Sequence, residues 1–335
     1  MINTSSELST VRLELLDKKY RECLLPFLDE VGISPDIFQD PNYECSLPKH
    51  VALLEVAAKK LKRNNLGLQF GRQVLSTDFG VLGQVIRSHK TVRDIFIWLD
   101  KYFVIHQQSS SISFNISNER CSISYQIDDP SIIEKRQDTE FSIAAIHALI
   151  LELAQEKPQL IRVDFTHDRP ESIIEHQDFF ERPVYFKQPK NCLIYKNNVL
   201  DFQLKTSNYV ILDALKSYIE ELHKQRSTTS DFITQLNIVI SRQLGNGGTN
   251  LPRVAEEMAM STRTLQRRLA LLDIQFGEHI EELRKSMALH YITKKQCCLT
   301  DIALLLGYSE ASSFSRAFKR WTGSTPGQYR KKLHY

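Results

Sequence analysis

Two stretches near the carboxyl end decide the fold: Leu251–Leu272, LPRVAEEMAMSTRTLQRRLALL, and Thr300–Trp321, TDIALLLGYSEASSFSRAFKRW. In each stretch, apolar residues at helical spacing predict a short helix, followed by a tight turn and a second helix. Equivalent positions recur in both: Val254-Ala255 and Ile302-Ala303, Ser261 and Ser309, and, after one inserted residue, Arg267 and Arg316. This internal repeat predicts two copies of one helical unit.

The second helix of each copy has one apolar and one polar face. The apolar faces, expected to be buried, consist of Leu265, Leu269 and Leu272 in the first copy and Phe314, Ala317, Phe318 and Trp321 in the second. The free faces consist of Arg263, Gln266, Arg267 and Ala270, and of Ser312, Ser313, Arg316 and Lys319. A helix with such a free face fits the DNA major groove, about 12 Å wide, and can read base edges there.

Local signals define the ends and turns of these helices. Ser261 is expected to cap the second helix of the first copy, and Thr300 the first helix of the second copy. Gly307 suits the left-handed backbone of a tight turn. Between the copies, residues 276 to 292 predict one long helix that holds the two second helices apart. The sequence therefore favours two helix-turn-helix units in tandem.

The charge of the chain is unevenly distributed. Residues 231–335 hold 15 Lys and Arg against 9 Asp and Glu, a net charge of +6, whereas residues 1–230 carry −3. A basic segment on a slightly acidic body is typical of a protein that meets a polyanion at one end.

The rest of the chain predicts a separate α+β domain. The first 60-odd residues have helical spacing, and residues 81–104 are mostly helical in pattern. Apolar and polar residues alternate strictly at 111–116 and at 121–127, which predicts a hairpin in a small, mainly antiparallel sheet. We therefore expect an α+β domain over 1–222, a polar linker over 223–230 and an all-α domain over 231–335, with two helix-turn-helix units joined by a long helix.

Composition sets further expectations. Hydrophobic residues make up 42% and charged residues 25% of the 335 residues, which is typical of soluble globular domains. We expect no membrane span or signal peptide, and a cytoplasmic protein with reduced thiols. Scattered histidines and cysteines predict neither a metal site nor a cofactor, and no catalytic residues are expected. Asp128-Asp129, before Pro130, predict a solvated turn.

Residues 301–330 closely resemble the carboxyl-terminal motif of AraC/XylS-type transcription regulators, and residues 262–269 resemble their first recognition helix. Upstream, residues 66–71, 79–83 and 165–170 resemble the arabinose-binding-like domain of the ornithine-regulator and VirS branch. Phe179-Phe180 and residues 183–186 fit the same domain. The resemblance thus covers nearly the whole chain.

The resemblance implies a sequence-specific DNA-binding regulator, usually an activator, that acts on promoter DNA with RNA polymerase. It also implies that the amino-terminal domain binds a metabolite or mediates dimerisation. By position, it assigns base reading to Arg263, Gln266 and Arg267, then Ser312, Ser313 and Arg316; Lys319 shares the second free face.

Self-association and effector binding are separate hypotheses. Ile211, Leu215, Tyr218 and Leu222 have the spacing of a coiled-coil seam, which predicts a homodimer, although the stripe could equally pack on its own domain. An apolar helix near Ile95–Phe103, with Arg72, Arg87, His89 and Lys101 nearby, could bind a fatty acid, and an amino-acid-like effector fits as well.

Two alternatives remain open at this point. One is a ligand-free dimeric activator controlled by its own abundance. The other is a DNA-repair protein that transfers alkyl groups, which needs an activated thiolate beside a base. No cysteine here is flanked by histidine, so the sequence favours the regulator.

Overall fold

The computed structural model describes residues 10–12, 20–38, 44–245, 248–293 and 297–333. The described chain divides into two compact units. The first, here called the sensor unit, comprises Ser9–Asp128 and Glu134–Ser230; the second, here called the helical unit, comprises Asp231–Tyr335 together with Asp129–Ile133. Within the described residues, none of the helices has both the length and the apolar character needed to cross a membrane.

Among the residues that the structure describes, the sensor unit contains eight α-helices before the long helix that begins at Tyr209. They are α1 Arg21–Leu24, α2 Leu28–Val31, α3 Leu47–Lys60, α4 Leu66–Gly71, α5 Gly80–Ser88, α6 Val92–Tyr102, α7 Arg136–Leu153 and α8 Ile174–Phe180. The predicted helical opening is confirmed in part, since two three-residue strands, β1 (Thr10–Arg12) and β2 (Glu44–Ser46), pair antiparallel within it.

A five-stranded sheet forms the other part of the sensor unit. Its strands are β3 Ser110–Ile116, β4 Arg120–Ile127, β5 Leu160–Asp164, β6 Val184–Tyr185 and β7 Asn191–Lys196, in the order β3-β4-β7-β5-β6. The predicted hairpin is confirmed: Phe114 pairs with Ile123, which also pairs with Leu193 of β7. All pairings are antiparallel except β5 with β6, so the sheet is mainly antiparallel as expected.

Helix α7 is the centre of the sensor unit. Almost every side chain from Gln137 to Ile150 is buried, so the helix is covered on all sides. Two glycines of α4 allow the closest approach: a Cβ at Gly67 would lie 1.9 Å from the Gln137 carbonyl oxygen, and one at Gly71 would lie 2.3 Å from that of Phe141. Only glycine tolerates these backbone contacts, and they fix α4 against α7.

Helix α9 runs from Tyr209 to Gly245 as one continuous element. The polar linker expected at 223–230 is helical in the structure. Lys, Gln and Arg in this segment are good helix formers, so polarity did not interrupt the helix. A polar composition was therefore a poor indicator of irregular chain.

In its described part, the helical unit has six further α-helices: α10 Leu251–Glu257, α11 Thr262–Leu271, α12 Phe276–Thr293, α13 Leu299–Leu305, α14 Ala311–Thr322 and α15 Pro326–Leu333. The long connecting helix expected at 276–292 is α12. Two hydrophobic clusters divide the unit, one around Leu236, Val254 and Leu265, the other around Ile302 and Phe314. Each cluster fills one copy of the repeated helical unit.

The segment Asp129–Ile133 corrects a prediction. Asp129 was expected in a solvated turn, but its side chain is only 1% exposed. Its carboxylate accepts hydrogen bonds from the Ser131 backbone N–H (2.9 Å), the Ser131 hydroxyl (2.6 Å) and the Asn237 amide (2.9 Å). These donors replace water, which is what makes burial of the carboxylate tolerable.

Candidate nucleic-acid interface

The two repeated turns have the same backbone conformation. Ala259 (φ 54°) and Gly307 (φ 76°), forty-eight residues apart, are both left-handed. In the first turn the Met260 N–H donates to the Ala255 carbonyl at 2.9 Å, and in the second the Tyr308 N–H donates to that of Ala303 at 2.9 Å. This shared geometry confirms the internal repeat that the sequence predicted.

Helix α11 is the second helix of the first copy. Ser261 caps it as predicted, since its hydroxyl accepts a hydrogen bond from the Thr264 N–H at 3.1 Å. Leu265 and Leu269 are buried and Leu272 is partly buried, so the expected inner face is confirmed. The predicted free face is exposed at Arg263, Gln266, Arg267 and Ala270.

Helix α14 is the second helix of the second copy. Phe314, Ala317 and Phe318 are buried, and Trp321 packs at the edge of their cluster. On the opposite face Ser312, Arg316 and Lys319 are exposed, and Ser313 is half-buried. The Arg316 guanidinium donates to the Ser313 hydroxyl at 3.1 Å, which places these two polar groups side by side.

One predicted cap is wrong. Helix α13 begins after Cys298, which is its N-cap residue, and no side chain caps this end. Thr300 lies inside the first turn of the helix instead. The helix begins two residues earlier than expected because Leu299, which packs on the second hydrophobic cluster, is part of its first turn.

Polar contacts from α12 hold the second copy. The Glu281 carboxylate accepts from Trp321 Nε1 at 3.1 Å and pairs with Arg320. Arg284 donates to the Leu306 carbonyl at 3.0 Å, and its guanidinium lies 4.8 Å from the centre of the Tyr308 ring. Arg320 is therefore engaged within the protein, whereas Arg316 on the same helix faces solvent.

The first copy is held by contacts from α9. Glu257, at the end of α10, pairs with Arg242 and accepts from the Gln243 amide at 2.7 Å. Arg268 places its guanidinium 5.4 Å from the centre of the Phe232 ring. In the described part of the chain, its neighbour Arg267 forms no ion pair and remains available on the free face.

A buried polar chain crosses the helical unit. His279 of α12 donates from Nε2 to the side-chain oxygen Oδ1 of Asn237 at 2.6 Å, and the side-chain amide of Asn237 donates to Asp129. Burial lowers the pKa of His279 to about 4, so the imidazole is neutral at physiological pH. The sequence analysis missed this chain because its members lie on three distant segments.

The predicted dimer stripe lies partly open. Ile211, Leu215 and Leu222 are partly exposed, and Tyr218 is 49% exposed. Ile219, one position from the stripe, is buried in the sensor unit. The helix thus uses one face for its own unit and leaves the stripe beside that face.

Two of the six cysteines are poorly suited to alkyl transfer. Burial raises the pKa of the Cys121 and Cys192 thiols to about 11, the opposite of what a thiolate nucleophile needs. Among the described residues, no three His, Cys, Asp or Glu side chains are grouped to hold a metal ion.

Two helix-turn-helix units, each with an exposed polar face on its second helix, define the class of DNA-binding transcription regulators. The sequence model described as "Arabinose-binding domain of AraC transcription regulator, N-term" matches residues 24–204, more than half of the chain, and a helix-turn-helix domain model matches 254–332. The protein belongs to the AraC family of transcription regulators.

Two curated relatives, matched along nearly their whole length, agree with this assignment. The chain is 25% identical to the ornithine utilization regulator of Pseudomonas aeruginosa, over 95% of this chain and 97% of that protein. It is 26% identical to the transcriptional regulator VirS of Mycobacterium tuberculosis, over 91% of this chain and 90% of that one. The crystal structure of the regulator CdpR from Pseudomonas aeruginosa covers 92% of this chain and 97% of its own, at 21% identity and a TM-score of 0.46.

Proposed function

We propose that this AraC-family regulator activates transcription from promoters that it reads with α11 and α14, and that a small effector bound in the sensor unit gates this activity. The observation that carries the proposal is the pair of exposed, polar and unlike faces on the two repeated helices. Arg263, Gln266 and Arg267 lie together in solvent on the second helix of a helix-turn-helix unit, and side chains of these types can pair with base edges.

The base-reading residues are proposed on exposure and chemistry. Arginine pairs bidentately with guanine and glutamine with adenine in the major groove. Arg267 and Arg316 are the proposed guanine contacts, while Gln266 suits adenine. Arg263, Ser312, Ser313 and Lys319 complete the two faces with groups that bind base edges or phosphates.

The proposed dimer uses the stripe on α9. The exposed Tyr218 and the partly exposed Ile211, Leu215 and Leu222 offer an apolar seam, and Tyr209, 81% exposed, extends the apolar surface. A second copy of this chain is the proposed occupant, because a seam of this spacing pairs with itself. The stripe is short, so other surfaces must add to the interface.

The proposed control by an effector and the proposed activation of transcription are supported by membership of the AraC family. One relative is named for ornithine utilization and the matched domain for arabinose, and both names refer to small metabolites. We extend this to an effector for this chain, and to contact with RNA polymerase at the promoter.

A footprint on selected DNA tests the proposal. Two recognition helices in one chain should contact successive major-groove segments about 34 Å apart, which protects about 17–20 base pairs per monomer. Protection of a single half-turn would contradict tandem reading. Transcription in vitro with purified RNA polymerase should increase when the regulator is added, and a decrease would contradict the activator role.

A further inference from the structure

The sensor unit contains a partly open apolar cavity between α5, α6, α7 and β3, with a volume of about 40 Å³. Of its fifteen lining residues, twelve are aromatic or aliphatic, and none is Lys, Arg, Asp or Glu. The charged side chains that the sequence placed near a pocket, Arg72, Arg87 and Lys101, do not line it. Apolar cavities with few polar groups are typical small-molecule sites.

Two of the three polar lining residues meet around one buried hydroxyl. Gln107 donates to the Tyr125 hydroxyl at 2.6 Å, and Ser142 lies near enough to interact with the same hydroxyl. Tyr125 in turn donates to Asp138 at 2.6 Å. Gln107 and Ser142 therefore lie together, and apart from His106 the rest of the wall is aromatic or aliphatic.

This wall selects against charged and sugar-like ligands. A carboxylate would lose its hydration without a lysine or arginine to replace it. A pentose would bring a hydroxyl on nearly every carbon, far more than Gln107, Ser142 and His106 can bond. A neutral molecule with an apolar body and one hydroxyl or carbonyl group meets neither penalty.

Two residues of the cavity wall also line a second groove. Trp98 and Tyr102 line the cavity and also an open groove of about 520 Å³ on the other side, where Leu212 and Ile219 of α9 lie. A cavity of 40 Å³ holds only a few water molecules, so a larger ligand must displace its walls. Movement of Trp98 and Tyr102 would reach the helix that carries the dimer stripe.

We propose that this cavity is the effector site, that it takes a small neutral molecule with an apolar body and a single hydroxyl or carbonyl end, and that Trp98 and Tyr102 transmit its occupancy to α9. The proposal rests on the effector gating proposed above and specifies the chemical class of the effector.

Quenching of Trp98 fluorescence tests the site. In the full chain carrying Trp321→Phe, Trp98 is the only remaining tryptophan. Bromohexanol, a neutral probe with a heavy-atom quencher, should quench it saturably at neutral pH. Bromohexanoate of the same length should bind at least about tenfold more weakly, because its charge stays unpaired. Arabinose should not compete with the alcohol.

Two alanines of α7 provide a matched pair of variants. Ala145→Leu fills the cavity and should abolish quenching, whereas Ala148→Leu, beside an open groove on another face of α7, should leave it unchanged. Ser142→Ala removes only a hydroxyl and should weaken the alcohol several-fold, which keeps the test valid should Ala145→Leu fail to fold.

Three results would overturn the site: no saturable quenching, equal quenching by alcohol and carboxylate, or quenching that survives in folded Ala145→Leu. Specific DNA binding by the wild-type chain is measured alongside. If the wild-type chain does not bind DNA specifically, the result counts against the proposed function. If it binds DNA specifically but bromohexanol does not quench Trp98, only the cavity assignment is overturned.

Discussion

Arg267 and Arg316 occupy the free faces of α11 and α14 and are the side chains best suited to guanine. Replacing either with Ala is expected to cost about 1–3 kcal/mol at the specific site and to relax preference at one base position. The reason is that a bidentate pair is lost while nothing else in the groove replaces it. Binding curves on the selected site and on single-base variants of it measure the effect.

Matched controls lie next to these residues. Arg268 neighbours Arg267 but stacks on Phe232, and Arg320 lies one turn beyond Arg316 but pairs with Glu281. Replacing either with Ala should leave base preference unchanged. If Arg267→Ala and Arg316→Ala weaken specific and random DNA equally, these arginines contact phosphates rather than bases.

Ala259 holds a left-handed backbone that favours glycine, and Gly307 holds the same conformation in the second copy. Ala259→Gly is expected to raise the free energy of unfolding by about 0.5–1 kcal/mol, because relief of the strain exceeds the added freedom of the unfolded chain. Gly307→Ala should lower it, since the new Cβ would lie 3.0 Å from the Leu244 carbonyl oxygen. Urea denaturation followed by Trp321 fluorescence, in a Trp98→Phe background, measures the free energy of unfolding of both variants. If Ala259→Gly does not raise the free energy of unfolding, no strain is stored at this position.

At the scale of elements, the stripe on α9 is the surface that we propose to pair with a second copy of this chain. Leu215→Glu puts a charge into the proposed seam and should yield a folded monomer that binds paired sites more weakly. Sedimentation velocity measures the change. Ser217→Glu adds the same charge on an exposed position outside the stripe and should remain dimeric.

Three outcomes would contradict the seam. The first is a Leu215→Glu variant that remains dimeric, and the second is a wild type that is monomeric at micromolar concentration. The third is an unfolded Leu215→Glu variant, which would show that the stripe belongs to the core of the sensor unit.

Elements with a local periodic pattern could be predicted from the sequence. The hairpin of β3 and β4, the connecting helix α12 and both repeated units each follow from apolar spacing within one stretch. Strands β1 and β2 could not, because each has three residues and its partner lies more than thirty residues away. Asp129 was missed for a similar reason: its neighbours read as a turn, and its partner Asn237 lies 108 residues away.

The candidate site was predicted to a similar extent. The free faces of α11 and α14 were read correctly as exposed surfaces because helical spacing alone separates them from Leu265 and Phe314. The contacts of Glu281 with Arg320 and Trp321 were beyond prediction, since charge and spacing do not indicate which exposed arginine pairs within the protein.

For the whole molecule, acid should weaken the helical unit through His279. Its pKa is about 4 in the folded state and about 6.5 when unfolded, so the unfolded state binds more protons between these values. The free energy of unfolding should therefore fall as pH drops from about 6.5 to about 4, by at most about 1.4 kcal/mol per pH unit. Urea denaturation at several pH values, followed by Trp321 in the Trp98→Phe background, measures the slope.

His279→Gln keeps a donor for Asn237 but cannot titrate, so it should flatten this slope. An unchanged slope would contradict the assignment.

The stability of the sensor unit is expected to depend less on pH. Burial lowers the pKa of His50 and His147 to about 4 but raises that of Glu55 to about 7 and that of Asp138 to about 6. These histidines and carboxylates have opposite effects on stability, and they partly cancel.

The unlike free faces of α11 and α14 have a consequence for the promoter. One face offers two arginines and a glutamine, and the other offers two serines with an arginine and a lysine. If these faces read bases as proposed, the two half-sites contacted by one monomer are expected to differ in sequence, which gives the bound site a direction. An operator turned end for end would present the opposite side of the regulator to the start of transcription, so each target gene is expected to constrain the orientation of its site as well as its sequence.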